Sequence, residues 1–383
     1  MGGPARLVVL LAVAAATEVA AASDRFVPAD PNFVVASVRQ AQPDETLQPL
    51  LEAWRADRSA ASASAALAAA FMERARSLRE PAYFGRAEAV LAPLASRPGA
   101  SATVRRLHAQ VLQYRHDFAT AESLLDTVLR DEAHDDDARL LRASVRLVRG
   151  DFDGARADCA QLAAAGGDVA LPGFACFAEA LAGSGNLERG LALLDTVPAG
   201  QRAQDAAHAY LLATRAELRE RSQDTAGALV DYRSALKLAP SDDSIRAAFA
   251  DALASMGNVE EARTVLAVDK PTVALLVRSA ALAKGVRRAG LAARAGEWLA
   301  LEAARGDALH FREAAMLALV NDDPARALAA ARRNFEVQKE LPDVRVLARA
   351  ARAARDAIAL STLQQWMLET GYRDSLTAGI VGS

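Results

Sequence analysis

The chain has 383 residues; 52% are hydrophobic, only 5% are aromatic, and about a quarter are alanine. Its 45 Lys and Arg stand against 48 Asp and Glu, a formal net charge of −3. These figures exclude an all-β or collagen-like fold, and they leave no basic footprint for nucleic acid or an anionic membrane. A single core stops growing at about 250–300 residues, so an alanine-rich chain of this length points to stacked helices.

Residues 1–22 have the layout of a secretory signal peptide, with Arg6 in a short positive region, an apolar run over 7–16, and small residues at Ala20, Ala21 and Ala22. The run is about half of the ~20 residues that a membrane span requires, and Glu18 interrupts it. Cleavage is expected after Ala22, giving a mature periplasmic or secreted protein without a membrane span. Residues 23–58 form a lead-in with Pro28, Pro31, Pro43 and Pro49, ending in one short helix that carries Leu47, Leu50, Leu51 and Trp54. Residues 61–70 are nearly all Ala and Ser, but they run into a charged face at FMERARSLRE and read as helix.

From there a period emerges. Ala109 and Ala121 are followed 34 residues later by Ala143 and Ala155. The same twelve-residue pairing recurs at Ala75 and Ala87, Ala178 and Gly190, Ala216 and Ala228, Ala250 and Ala262, Ala281 and Ala293, and Ala315 and Ala327. Between the two members lies a turn signal, as in Gly150-Asp151, Gly185-Asn186 and Gly257-Asn258. Three positions before the second small residue stands an apolar side chain (Phe84, Phe118, Phe152, Leu187, Val259), and four after it another (Leu91, Leu125, Cys159, Leu194, Tyr232, Leu266). Pro240 closes the ALKLAP segment. The pattern describes helical hairpins whose backbones cross closely at the small residues and whose later apolar residue fills the gap to the next unit.

This pattern resembles the tetratricopeptide repeat family, whose unit is a 34-residue helix pair. The resemblance implies an all-α fold, a right-handed α-α superhelical solenoid. It is clearest over 103–131, 137–163 and 210–269, so 59–270 reads as repeats and 271–383 as degenerate repeats with a C-terminal helical cap. HFREAAMLAL (310–319) and ARALAAARRNFEVQKELPDVRVL (325–347) are similar to an uncharacterised group of exported bacterial repeat proteins. The last hairpin is expected over 344–360 and 363–370, with Trp366 in the core and TAGIVGS as a loose tail.

Cys159 and Cys176 suit a disulfide in an exported chain, stapling two adjacent units; two buried free thiols are the alternative. No catalytic or metal motif appears among the five histidines, and His310 with Glu313 reads as a surface or groove contact. Asp135, Asp136 and Asp137 lack the glycine and distant glutamate of a calcium loop and read as an acidic helix start. No glycine-rich nucleotide loop or nucleophile elbow is present, so no cofactor and no enzymatic activity are expected.

Binding remains. The inner surface of a helical solenoid is lined by the first helix of each unit and holds extended peptides or partner helices. Counting from the first small residue places Arg106, Gln110, Gln113 and Tyr114 there in one unit. Ser144, Glu179, Tyr210, Glu217 and Arg221 follow in the middle of the chain, then Asp251, Ser255, Arg312 and Met316. This mixture suits a protein or peptide partner better than a lipid. Arg106 and Gln110 imitate only half of a terminal-carboxylate clamp, because Leu140 and Leu141 follow on the next helix. The expected function is an adaptor that holds a partner on its concave face; the alternative is a structural subunit of an envelope secretion or polysaccharide-export assembly.

Overall fold

The computed structural model describes residues 45–197, 206–305 and 310–382. The signal-peptide segment and the proline-bearing lead-in up to residue 44 lie outside them. One compact unit, Thr46–Ser383, carries every helix of the described residues.

Among the described residues a short helix α1 (Gln48–Ala56) precedes nine hairpins. The first five are α2 (Ala61–Leu78) with α3 (Ala82–Ala95), α4 (Ala102–Tyr114) with α5 (Phe118–Asp131), α6 (Asp136–Arg149) with α7 (Phe152–Ala165), α8 (Ala170–Gly183) with α9 (Leu187–Asp195), and α10 (Ala206–Arg221) with α11 (Thr225–Leu238). The others are α12 (Asp243–Ser255) with α13 (Val259–Leu266), α14 (Val273–Leu282) with α15 (Gly285–Arg305), α16 (Phe311–Val320) with α17 (Pro324–Val337), and α18 (Leu341–Ala353) with α19 (Ala357–Thr370). A final helix, α20, spans Ser375–Val381. The described residues contain no strand, and no helix among them is long and apolar enough to cross a membrane. The architecture is an all-α helical repeat.

One turn design ends most first helices. A residue with positive φ is followed by Asp or Asn at the start of the second helix: His116-Asp117, Gly150-Asp151, Gly185-Asn186, Gln223-Asp224, Gly257-Asn258, Asp322-Asp323 and Arg355-Asp356. Where the second residue is Asp, its carboxylate accepts a backbone N–H from the first turn, as Asp151 does from Gly154 at 3.0 Å. This satisfies a donor that the helix start leaves unpaired. At Arg355 the left-handed residue is not glycine, so nothing in the sequence marked the break; the helix expected over 344–360 is in fact two.

The small residues sit where the hairpins cross. Ala109, Ala121, Ala143, Ala155, Ala178, Ala216, Ala228, Ala262, Ala315 and Ala327 have no accessible surface. A Cβ added to Gly190 would stand 2.6 Å from the Ala178 carbonyl oxygen, so these backbones are nearly in contact. The gap-filling positions Leu91, Leu125, Cys159, Leu194, Tyr232 and Leu266 are all buried. The α14–α15 hairpin departs by one residue: Ala280 and Ala292 are buried, while Ala281 and Ala293 are exposed. The preceding α13 is only 8 residues long, and the chain reaches α14 through Pro271, which resets the register.

Within two hairpins an acidic residue on the second helix clasps two arginines of the first. Arg142 Nε and Arg146 Nη1 both donate to Asp158 at 2.9 Å, and Arg215 Nε and Arg219 Nη1 to Asp231 at 2.8 and 2.7 Å. The Cys159–Cys176 disulfide, with Cα atoms 5.6 Å apart, joins α7 to α8 and so staples adjacent hairpins.

Successive first helices touch one another from α2 to α18, whereas second helices make no comparable contact across repeats. First helices therefore form the inner rim. The rim then returns on itself. One apolar cluster joins Ala143, Leu147 and Phe152 to Val344, Leu347, Leu363 and Tyr372, so packing is not confined to sequence neighbours. The Lys339 amide donates to the Val148 carbonyl at 2.7 Å, and Arg373 reaches the Gly185 carbonyl 188 residues earlier. The expected loose tail is instead α20, capped by Asp374, with Thr377 fully buried against its neighbours.

Candidate functional site

The inner faces of α8, α10, α12, α14, α16 and α18 enclose a cavity of about 710 Å³. A pocket of this volume lies in the range that takes a small molecule or a few side chains. It opens to solvent where Ser244 and Arg349, both exposed, form part of its wall. Among the residues expected to face inward, Glu179, Tyr210, Glu217, Asp251, Arg312 and Met316 all line it.

Helical spacing explains the convergence. Tyr210, Thr214 and Glu217 follow one stripe of α10, and each first helix presents the corresponding stripe. Four contacts between consecutive first helices or their starts span the same 31 residues: Arg106 Nη1 to Asp137 at 2.5 Å, Gln113 Nε2 to Ser144 Oγ at 3.0 Å, Tyr210 Oη to Glu179 at 3.2 Å, and Arg312 Nη2 to Asp343 at 2.9 Å. The inward stripe is therefore a ladder from one repeat to the next.

The remaining candidates lie elsewhere. Tyr114 stacks on Phe84 with centroids 3.7 Å apart, and Gln110 is half-buried on the same helix. Ser255 is exposed and donates to the Ala252 carbonyl at 2.8 Å. Arg221 is buried; it donates to the carbonyls of Arg373 and Ala182, each at 2.9 Å, and lies over the Tyr372 ring at 4.0 Å. It helps to close the rim and is absent from the cavity wall.

Charge in the cavity is uneven. Arg278 pairs with Asp251 at 2.8 Å. Arg312 meets both Asp343 and Glu340, and Arg345 meets both Glu220 and Asp374, so each of these guanidinium groups faces two carboxylates. Glu179 has the Tyr210 hydroxyl, but no hydrogen bond or ion pair reaches Glu217 among the described residues. Burial, then the neighbouring charges of Glu217 and Glu340, pushes the Glu179 carboxyl up to about 8. Burial pushes Glu217 up to about 7 against the pull of Arg221. Glu340 is raised as well, chiefly by burial. Among the described residues no group of His, Cys, Asp and Glu is arranged to hold a metal.

Sequence reasoning did not find Glu220, Arg345 or Asp374. Glu220 and Arg345 lie on helices already read as inward-facing, but their contact joins repeats 125 residues apart, for which a local pattern carries no signal.

Residues 221–272 match the tetratricopeptide repeat model, spanning the end of α10 to the approach to α14. No curated protein matches the chain. Among solved structures, a thermophilic TPR protein of Thermus thermophilus is 20% identical with a TM-score of 0.39, over 52% of this chain and 100% of its own. A tetratricopeptide repeat protein from Parabacteroides merdae is 12% identical with a TM-score of 0.39, over 74% and 98%. The human IFIT1 dimer with PPP-AAAA is 14% identical with a TM-score of 0.44, over 88% and 85%. The matched stretch is therefore similar to a tetratricopeptide repeat, and helical hairpins of the same kind recur before and after it among the described residues.

Proposed function

We propose that this chain is a non-enzymatic adaptor of the bacterial periplasm or cell envelope that holds a segment of a partner protein in the cavity bounded by α8 to α18. The observation that carries this reading is the convergence of Glu179, Tyr210, Glu217, Asp251, Arg312 and Met316, from four different first helices, on one cavity of about 710 Å³. Such cavities are recognition sites when a mostly apolar wall carries a few placed polar groups. The acidic lining disfavours a phosphate-bearing ligand. An exported location is supported by the signal-peptide layout of residues 1–22 and by the Cys159–Cys176 disulfide, since such bonds persist in oxidising compartments.

A second reading, the structural subunit of an envelope secretion or polysaccharide-export assembly, draws on α19, where Ile358 and Leu368 leave 75% and 72% of their surface exposed. Photo-crosslinkers at Tyr210 and Met316, compared with Ile358 and Leu368, test the two. Capture of one and the same protein from both cavity positions, and not from α19, is the adaptor result. Capture only from α19, within a large co-purifying complex, would displace it.

A further inference from the structure

We infer that the cavity receives an organic cation, the ammonium of a lysine side chain carried by an extended partner segment, between Glu179 and Glu217. This rests on the adaptor reading and adds the chemistry of what is held.

Of the five arginines on the cavity wall, three are committed to carboxylates, and a fourth, Arg288, donates to the Val320 carbonyl and lies 3.9 Å from Asp322. Arg278 serves Asp251, Arg312 serves Asp343 and Glu340, and Arg345 serves Glu220 and Asp374. Arg221, whose charge acts on both Glu179 and Glu217, donates to two backbone carbonyls and reaches neither carboxylate by a hydrogen bond. Arg349 keeps its side chain exposed at the rim, one turn beyond Arg345. Glu179 and Glu217 are thus left on neighbouring helices, facing one space, with the Tyr210 hydroxyl on Glu179 and no cation paired with either among the described residues. Both are half-buried; ionising such a carboxyl without a cation is costly, and a charge-assisted hydrogen bond to an ammonium group offsets that cost.

The shape of the space selects the kind of cation. Ala209, Ala213, Met316, Leu319 and Val346 form apolar walls, which suit the methylene stem of a lysine while its head reaches the carboxylates. The volume is far larger than a bare ion requires. The exposed Ser244 and Arg349 margins leave a path by which a chain can lay its backbone outside and insert one side chain.

Calorimetric titration of the full chain tests this with three probes: the pentapeptide Ala-Ala-Lys-Ala-Ala with blocked ends, its norleucine analogue, and free butylamine. The lysine peptide is expected to bind at least about tenfold more tightly than the norleucine peptide, and Glu217→Gln is expected to abolish that preference while leaving the thermal midpoint unchanged or higher. Equal binding of the two peptides, or retention of the preference in Glu217→Gln, would overturn the cation site and leave the adaptor reading standing. Butylamine binding as tightly as the lysine peptide would assign the site to a small amine and remove the partner segment. Binding of none of the three would overturn the inference, and crosslinking from Tyr210 and Met316 then decides the adaptor reading separately.

Discussion

Arg345 on α18 forms an ion pair with Glu220 on α10, two residues 125 positions apart, and both are buried. The same guanidinium holds Asp374, the cap of α20, at 2.8 Å. One side chain therefore ties the last hairpin and the terminal helix to the middle of the solenoid. Removing one member of a buried ion network leaves the others uncompensated, at a cost of about 3–5 kcal/mol. Arg345→Met is expected to lower the urea midpoint accordingly. It should also raise amide exchange in α20 and α18 before the rest of the chain opens, because terminal units of a repeat array can detach separately. Exchange rising evenly along the chain would show that Arg345 does not act as the closure.

The part of the fold legible in the sequence is the part that repeats. Ala109 and Ala121, or Ala143 and Ala155, announce the crossing because only a small residue fits there, and Leu125 or Cys159 announces the gap between units because its burial is required in every hairpin. Turns were legible at Gly150, Gly185 and Gly257 and hidden at Gln223, Asp322 and Arg355, which adopt the same left-handed conformation without the residue that signals it. Six of the inward residues could be placed from the period alone. That they surround one cavity could not, because the return of α18 onto α10 depends on Arg345 and Glu220, each an ordinary polar residue of its own helix. The clasps at Asp158 and Asp231 share one spacing, with an arginine 16 and another 12 residues earlier, a regularity that the alanine period overshadows.

Two glycines separate packing from propensity. Gly190→Ala places a methyl group 2.6 Å from the Ala178 carbonyl oxygen, so the α8–α9 crossing must widen, at about 1–3 kcal/mol. Gly85→Ala in α3 meets nothing within 4 Å and is expected to stabilise by up to about 1 kcal/mol through helix propensity. Denaturant titration of both variants checks this; a neutral Gly190→Ala would mean that the close crossing is not required there.

Stability should fall as pH rises through the neutral range. Glu217 holds its proton up to about 7 in the folded protein and Glu179 up to about 8, whereas in the unfolded chain both release it near the ordinary glutamate value. Between about pH 4.5 and 8 the folded state therefore binds more protons, so the stabilisation is complete at the acidic end and is lost as pH climbs through the folded values. The groups setting Glu217 besides burial are Arg221, Glu340, Glu220 and Arg345. Glu217→Gln removes one titration and should gain about 1–3 kcal/mol at pH 8 while changing little at pH 5. Urea midpoints at the two pH values check the sign; an equal gain at both would refute the assignment.

The two clasps offer a test of how far the hairpins are independent. Asp158 is almost fully buried between Arg142 and Arg146, and Asp231 likewise between Arg215 and Arg219, with no arginine shared between them. Changing either Asp to Asn keeps the shape and removes the charge that two arginines address, so each single variant should lose about 3–5 kcal/mol. Between the clasps lie the Cys159–Cys176 disulfide and the α8–α9 hairpin, which a purely local array would use only as spacers. If nearest-neighbour coupling governs, the double variant Asp158→Asn with Asp231→Asn loses the sum within about 0.5 kcal/mol. The returning rim points the other way. Cys159, beside Asp158, and Tyr372 share one apolar cluster, and Tyr372 is stacked by Arg221 at the end of the helix that carries Arg215 and Arg219. The expected result is a coupling clearly larger than about 0.5 kcal/mol that falls to the additive value when Arg345→Met opens the closure.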